Sequence, residues 1–182
     1  FQADTVGLEI GFMTTVSKIR PISTDDNERL IHLNPKLARR LLVPSGSYLP
    51  YLIQDNLIKL GPSVGILSST KKPENTFPKG KQGRLYKEMI NYGKERGLLI
   101  FLFYTEDVNW GKKTVKGYSL NNNGKWVKNN YALPDIVYNR INYRSIEARS
   151  NVKTLFKRLG NEPNIHLFNS RFLNKWEVHE AL

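Results

Sequence analysis

The sequence predicts an α/β protein with a small β-rich N-terminal subdomain followed by a mainly parallel α/β domain. Three observations support this class. The first 60 residues are mostly short extended segments, Gly61-Pro62 interrupts the pattern, and strand–helix–strand spacing follows it. We therefore predict a β-rich subdomain over 1–60 and an α/β domain over 61–170. Residues 171–182 are predicted to begin a further domain.

The first 60 residues predict strands joined by short connections. Extended segments are expected at 5–12, 15–22 and 29–33. Asn34-Pro35 then starts a short helix, because Asn caps helix N-termini and Pro is accommodated at the first helical position. Two further strands flank Gln54-Asp55-Asn56, which predicts a hairpin.

The second part of the chain predicts a parallel βαβ unit. A strand at 64–67 is followed by a polar loop and by a helix with an apolar stripe made of Leu85, Met89 and Tyr92 together with Tyr86 and Ile90. The wholly apolar segment 98–104 then predicts a strand buried on both faces. Asn121 to Gly124 predict a hairpin turn, 135–140 and 165–168 predict strands, and Ser150 is expected to cap an intervening helix.

Composition restricts the classes of function. The chain has 182 residues, no cysteine and no apolar run of membrane-spanning length, which excludes disulfides and predicts no membrane partner. The three histidines are scattered, so no metal site is predicted. The net charge of +12 is concentrated in residues 61–130 and indicates an anionic partner or a solvated lysine-rich face.

The carboxyl ends of parallel strands are where α/β proteins bind ligands, so we searched these positions for polar side chains. Asn139, Arg140 and Arg144 follow one predicted strand, and Asn169 follows the next. Guanidinium groups bind carboxylates and phosphates through paired hydrogen bonds. The sequence therefore predicts that these four residues bind a small anionic or carboxylate substrate, although pairing of either arginine with Glu147 is an alternative.

A basic stretch from Lys79 to Arg84 leads into the predicted helix. Helix N-termini attract anions, so Arg84 is a further candidate substrate contact. A mobile, solvated loop is the favoured alternative for the same residues. Glu106-Asp107 could bind a cation, but the sequence around the pair is typical of a capped turn.

Three blocks in order resemble the YheC/YheD family of endospore-coat-associated ATP-grasp proteins. These blocks are 60–67, 134–147 and 168–177, and the resemblance runs from about residue 30 to the end. It implies a pre-ATP-grasp portion of a carboxylate–amine type ligase. ATP and Mg²⁺ would act in the full-length protein, and no cofactor is expected in this portion.

The resemblance also implies a role for Lys175. Related ligases have an Asp-Lys pair at this point, whose lysine contacts an ATP phosphate, whereas Asn174 precedes Lys175 here. The start at Phe1 and the predicted helix at 172–182 lead us to expect a fragment. The resemblance implies that the ATP-binding segments lie beyond Leu182, so the fragment is expected to be inactive alone. A cytoplasmic location in the producing cell, with association to the spore coat and other coat proteins, is also implied.

A basic binding module for nucleic acid or an anionic coat polymer remains the alternative function. Such a module needs basic residues on one face, with exposed aromatic side chains to stack on single strands. The lysines of 71–128 are spread over a predicted loop, helix and hairpin. Nucleic acid is therefore the less favoured partner.

Overall fold

The computed structural model describes residues 5–18, 20, 30–69 and 77–170. Its first sheet has four strands in the order β2-β1-β4-β3. β1 and β4 are parallel, and the two outer pairs are antiparallel. The elements of this part are β1 (Thr5–Ile10), β2 (Met13–Lys18), helix α1 (Pro35–Arg40), β3 (Tyr51–Gln54) and β4 (Leu57–Leu60).

The second sheet has seven strands in the described part of the chain, in the order β11-β10-β5-β6-β8-β7, with β9 paired to β8. Its strands are β5 (Ser63–Ser68), β6 (Leu99–Phe103), β7 (Val108–Asn109), β8 (Thr114–Leu120), β9 (Trp126–Ala132), β10 (Ile136–Arg140) and β11 (His166–Phe168). The helices are α2 (Gly80–Lys94), α3 (Arg144–Glu147) and α4 (Ser150–Gly160), with a 3₁₀ turn at Thr105–Asp107.

The second sheet is mixed. β11, β10, β5 and β6 are parallel, whereas β7, β8 and β9 pair in antiparallel fashion. The parallel half follows from the crossovers that carry α2 and α4, and the antiparallel half follows from short connections after β6. The protein is therefore mixed α/β and rich in strands, and the description "mainly parallel" is not confirmed.

Several local predictions are confirmed. Asn34 caps α1 by accepting the Leu37 N–H at 2.9 Å, and Asp55-Asn56 connect β3 to β4. Asn121 forms the turn between β8 and β9, where its side-chain oxygen accepts the N–H groups of Asn123 and Lys125. All of β6 is buried, as its apolar sequence predicts.

The predicted apolar stripe of α2 is confirmed for Tyr86 and Ile90 and wrong for Leu85 and Tyr92. In α2 the buried side is formed by Gly83, Tyr86, Ile90 and Gly93, whereas Leu85 and Tyr92 are 37% and 60% exposed. Gly83 and Gly93 face inward, and the absence of a side chain at both positions allows the helix to lie close to its neighbours. An added Cβ would stand 2.4 Å from the Pro78 oxygen at Gly83 and 2.1 Å from Ile100 Cδ1 at Gly93.

Two further segments differ from expectation. Arg149, not Ser150, is the N-cap of α4, so the helix begins without a side-chain cap. Residues 30–33 have no regular secondary structure. β2 is described as far as Lys18, and Ile19, Pro21 and Ile22 of the predicted strand lie outside the described residues. Residues 71–76, the predicted helix 172–182 and Lys175 lie outside the described residues.

The second sheet is covered on both faces. On one face its side chains share a hydrophobic cluster with α4 and with the first sheet, exemplified by Val137, Leu155 and Leu8. On the other face a second cluster packs under α2 through Tyr86 and Ile90. The first sheet therefore contributes to the same core as the second sheet, while the predicted boundaries at 60 and 170 stay predictions.

Candidate functional site

The carboxyl ends of the four parallel strands form one edge of the second sheet, which we call the carboxyl edge. It is made by Ser68 of β5, Tyr104 after β6, Arg140 of β10 and Asn169 after β11. The register aligns Arg140 with Ser68, and Tyr138 with Phe168. Strand ends of this kind open into one crevice, so the carboxyl edge is the candidate site.

Arg140 is the predicted site residue whose contacts point most directly to an anion. It is partly buried, and its guanidinium carbon lies 5.8 Å from the Tyr138 ring centroid. Its Nε is buried without a hydrogen-bond partner among the described residues. A buried donor of this kind favours an acceptor from a ligand.

Hydroxyl groups lie on the same face as Arg140. Residues paired directly in a parallel sheet share a face, which places Ser68 beside Arg140. Ser68 Oγ is 2.8 Å from the Tyr86 hydroxyl, and Gln82 Nε2 donates to that hydroxyl at 2.9 Å. This network joins β5 to α2 and adds neutral polar groups near the guanidinium.

A group of tyrosines extends the carboxyl edge toward the antiparallel half. The rings of Tyr104 and Tyr118 meet edge to face with centroids 5.9 Å apart. Burial raises the pKa of Tyr104 well above its ordinary value, and the nearby Tyr86, Tyr118 and Asp107 add to the rise. The Tyr104 phenol is therefore neutral at physiological pH.

Asn139 lies on the opposite face of β10 from Arg140. It is 2% exposed, its amide nitrogen donates to Glu147 Oε1 at 3.1 Å, and its oxygen accepts the Ile141 N–H at 3.0 Å. These contacts fasten α3 to the strand end. Both halves of the Asn139 amide are therefore used within the fold, while its role toward a substrate stays a prediction.

The remaining predicted residues are placed around the edge. Asn169 has a left-handed φ of 55° and donates from its amide to the Asn139 carbonyl oxygen at 3.0 Å, which joins β11 to β10. Arg144 is exposed at the start of α3, and Arg84 is exposed on α2. The structure brings Asn139 and Asn169 together and places Arg140 beside Ser68. Sequence reasoning missed Ser68, Gln82 and Tyr86, although Ser68 ends an apolar strand.

Two other observations bear on chemistry. Asp107 Oδ2 accepts the Tyr104 N–H at 3.2 Å, so the Glu106-Asp107 pair belongs to a capped turn. Across the residues that the structure describes, no group of three or more His, Asp or Glu side chains is arranged to hold a metal ion. Within the same ranges, no helix has the length and apolar character needed to cross a membrane.

Comparison with known proteins gives a relative for nearly the whole chain. The chain is 30% identical over 175 residues to the "Endospore coat-associated protein YheD" of Bacillus subtilis (strain 168). The match covers 96% of this chain and 38% of that protein. No protein-family model matches the chain, and no solved structure matches it. The chain is therefore similar to YheD over little more than a third of that protein's length.

Proposed function

We propose that this chain is the substrate-side module of a spore-coat-associated ATP-grasp ligase of the carboxylate–amine type. The observation that carries the proposal is the 30% identity to the coat-associated relative over 96% of the chain. On this proposal the module binds the acceptor substrate, and coat proteins are its macromolecular partners. ATP and Mg²⁺ are bound by other parts of the complete gene product.

The substrate is proposed to bind at the carboxyl edge. Arg140 supplies a planar cation whose buried Nε has no hydrogen-bond partner among the described residues, and Ser68 and Tyr86 supply hydroxyl groups on the same face. A planar carboxylate or a phosphate complements this set, because it accepts paired hydrogen bonds from a guanidinium. Asn169 and Asn139 hold the ends of β10 and β11 in position.

The alternative of a basic binding module is less favoured by the lysine contacts. Lys87 donates to the Gly124 carbonyl oxygen, Lys113 pairs with Glu162, and Lys59 pairs with Glu9 and Asp135. Lysines engaged within the fold contribute less to a continuous cationic surface. The contacts therefore support discrete anion recognition more than polymer binding.

The test uses the complete gene product together with the isolated 182-residue chain. We expect the complete protein to carry an ATP-grasp pattern and to release ADP when a carboxylate acceptor and an amine are supplied. The isolated chain should show only weak, salt-sensitive attraction for ATP. A tight, magnesium-dependent and salt-resistant ATP site in the isolated chain would contradict the proposal, as would absence of acceptor-dependent ADP release from the complete protein.

A further inference from the structure

A second polar cleft lies at the opposite end of the second sheet from the carboxyl edge. We call it the amino-edge cleft, because it opens where β6 begins and α2 ends. Its volume is about 670 Å³, which is within the range of small-molecule sites. Its polar wall includes Lys94, Ser119, Asn129 and Tyr131, and the Asn121 turn and the loop at 44–49 complete it. None of these residues belongs to the proposed acceptor site.

Lys94 gives the cleft its charge. Its ammonium group donates to the Leu120 carbonyl oxygen, which holds the side chain against the β8–β9 hairpin. Burial lowers the pKa of Lys94 from its ordinary value. Among the described residues, no aspartate or glutamate lines the cleft, so none of them places a negative charge opposite the Lys94 ammonium there. An anionic ligand would supply the negative charge that pairs with the Lys94 ammonium.

Tyr131 gives an independent observation. Its side chain is fully buried at 0% exposure and stacks on Phe101 with ring centroids 4.2 Å apart. Among the described residues, its hydroxyl has no hydrogen-bond partner of normal geometry. Burial raises the pKa of Tyr131, while the nearby Asn129 and Ser119 side chains oppose the rise. The phenol is thus a rigid, neutral donor at the base of the cleft.

The other lining groups define the kind of ligand. Asparagine amides and serine hydroxyls supply neutral donors and acceptors, which suit hydroxyl groups. Leu49 and Val127 supply a small apolar surface. We propose that the amino-edge cleft binds a small hydroxylated carboxylate of sugar-acid size, with its carboxylate at Lys94 and its hydroxyl groups toward Asn129 and Tyr131.

The test is calorimetric titration of the chain with D-glucuronate, with D-glucose and acetate as partial ligands. Glucuronate is expected to bind saturably and more tightly than either partial ligand. Glucose lacks the carboxylate and acetate lacks the hydroxyl groups, whereas glucuronate carries both. Lys94→Met keeps the length of the side chain but removes its charge, so affinity should fall roughly 10- to 100-fold. Tyr131→Phe removes one neutral hydrogen bond and should lower affinity roughly 2- to 10-fold.

Lys87→Met is the matched control. Lys87 is on the same helix and donates to the carbonyl oxygen of Gly124 in the same hairpin, at 3.0 Å, but it does not line the cleft. Its replacement should leave glucuronate affinity unchanged. Absence of saturable glucuronate binding, acetate binding as tightly as glucuronate, or equal losses in Lys87→Met and Lys94→Met would each overturn the proposal.

Two further variants keep the test decisive. If Lys94→Met does not fold, Tyr131→Phe carries the test, because it preserves the stack on Phe101 and removes only a hydroxyl that no described residue satisfies. Because glucuronate carries a carboxylate that the carboxyl edge could also accept, the wild-type and Lys94→Met comparison is repeated in an Arg140→Lys background, where binding at the carboxyl edge is weakened. The two sites can therefore fail independently.

Discussion

Asn139 and Arg140 are adjacent in the sequence but face opposite sides of β10. Successive side chains of a strand point to opposite faces of the sheet. Asn139 therefore lies on the face that carries α3, where it donates a hydrogen bond to Glu147, and Arg140 lies on the same face as Ser68. A cluster of polar residues at a strand end therefore separates into two roles. One residue fastens the local fold, and the other presents a cation at the carboxyl edge.

Substitution of Arg140 separates ligand binding from folding. Arg140→Lys keeps the charge but loses the planar fork, so binding of a carboxylate or phosphate should weaken roughly 10- to 100-fold. The melting temperature should change little, because the Arg140 Nε makes no hydrogen bond among the described residues. Calorimetry on the complete protein and thermal melting measure the two effects.

Arg39→Lys provides the control for this substitution. Arg39 is exposed on α1 and donates from Nε to the Pro35 carbonyl oxygen at 3.1 Å, away from the carboxyl edge. Neither melting nor binding should change appreciably in this variant. A lower melting temperature for Arg140→Lys with unchanged binding would show that Arg140 is structural.

The raised pKa of Tyr104 predicts how the stability of the folded protein changes at alkaline pH. This pKa is raised in the folded state, so the unfolded chain loses the phenol proton first as pH rises above about 10. The contribution to folding is complete below that pH and is lost progressively above it, since only the unfolded state gains from ionisation. Tyr104→Phe should therefore lose less stability than the wild type between about pH 9 and 11. Denaturant melts at both pH values measure this, and parallel losses in the two proteins would contradict it.

At the scale of elements, the caps, turns and strands that depend only on residues close together in the sequence could be predicted. The Asn34 cap, the turns at Asp55-Asn56 and Asn121, and the buried strand β6 all follow from local propensity and apolar runs. The buried side of α2 was not predictable in this way. Its orientation depends on Pro78 and Ile100, which Gly83 and Gly93 allow to approach, and no periodicity of apolar residues records such contacts.

The site could also be predicted only in part, because some of its residues come together through strand pairing and helix packing that the sequence pattern does not record. Arg140 and Asn169 could be selected because they follow strands. The partners Ser68, Gln82 and Tyr86 required knowledge that β5 pairs with β10 and that α2 lies on that face. Antiparallel addition of β8 to β6 was likewise invisible to local patterns, which explains the expectation of a mainly parallel sheet.

Two glycines in helices give opposite predictions for alanine substitution. An added Cβ at Gly83 would meet the Pro78 backbone oxygen at 2.4 Å, so Gly83→Ala should destabilise the protein by about 1–3 kcal/mol despite the higher helix propensity of alanine. Gly160, at the end of α4, has no atom of the described residues within 4 Å of such a Cβ. Gly160→Ala should stabilise by about 0.4–1 kcal/mol. Urea unfolding measures both, and equal effects would contradict the close approach of α2.

At the scale of the whole molecule, the first sheet is joined to the second through both apolar packing and a backbone contact. Side chains of β1 and β4 share a hydrophobic cluster with β6, β10 and α4. In addition, the Phe12 N–H donates to the Leu133 carbonyl oxygen at 3.1 Å, which joins the β1–β2 turn to the end of β9. Because the apolar residues of both sheets lose water together, we expect the two sheets to unfold in one transition.

Gly11 tests this coupling. Its φ is +51°, and an added Cβ would lie 2.3 Å from the Leu133 oxygen, so Gly11→Ala combines backbone strain with a clash between the sheets. Gly124→Ala is the matched control, because Gly124 has a similar φ of +67° and no described residue comes within 4 Å of the added atom. Strain alone should cost Gly124→Ala about 1–2 kcal/mol, and Gly11→Ala should cost about 1–3 kcal/mol more. Circular dichroism and tyrosine fluorescence should report the same shifted midpoint in Gly11→Ala. Separate midpoints would show that the sheets unfold independently, and equal losses in the two variants would show that the Leu133 contact does not couple them.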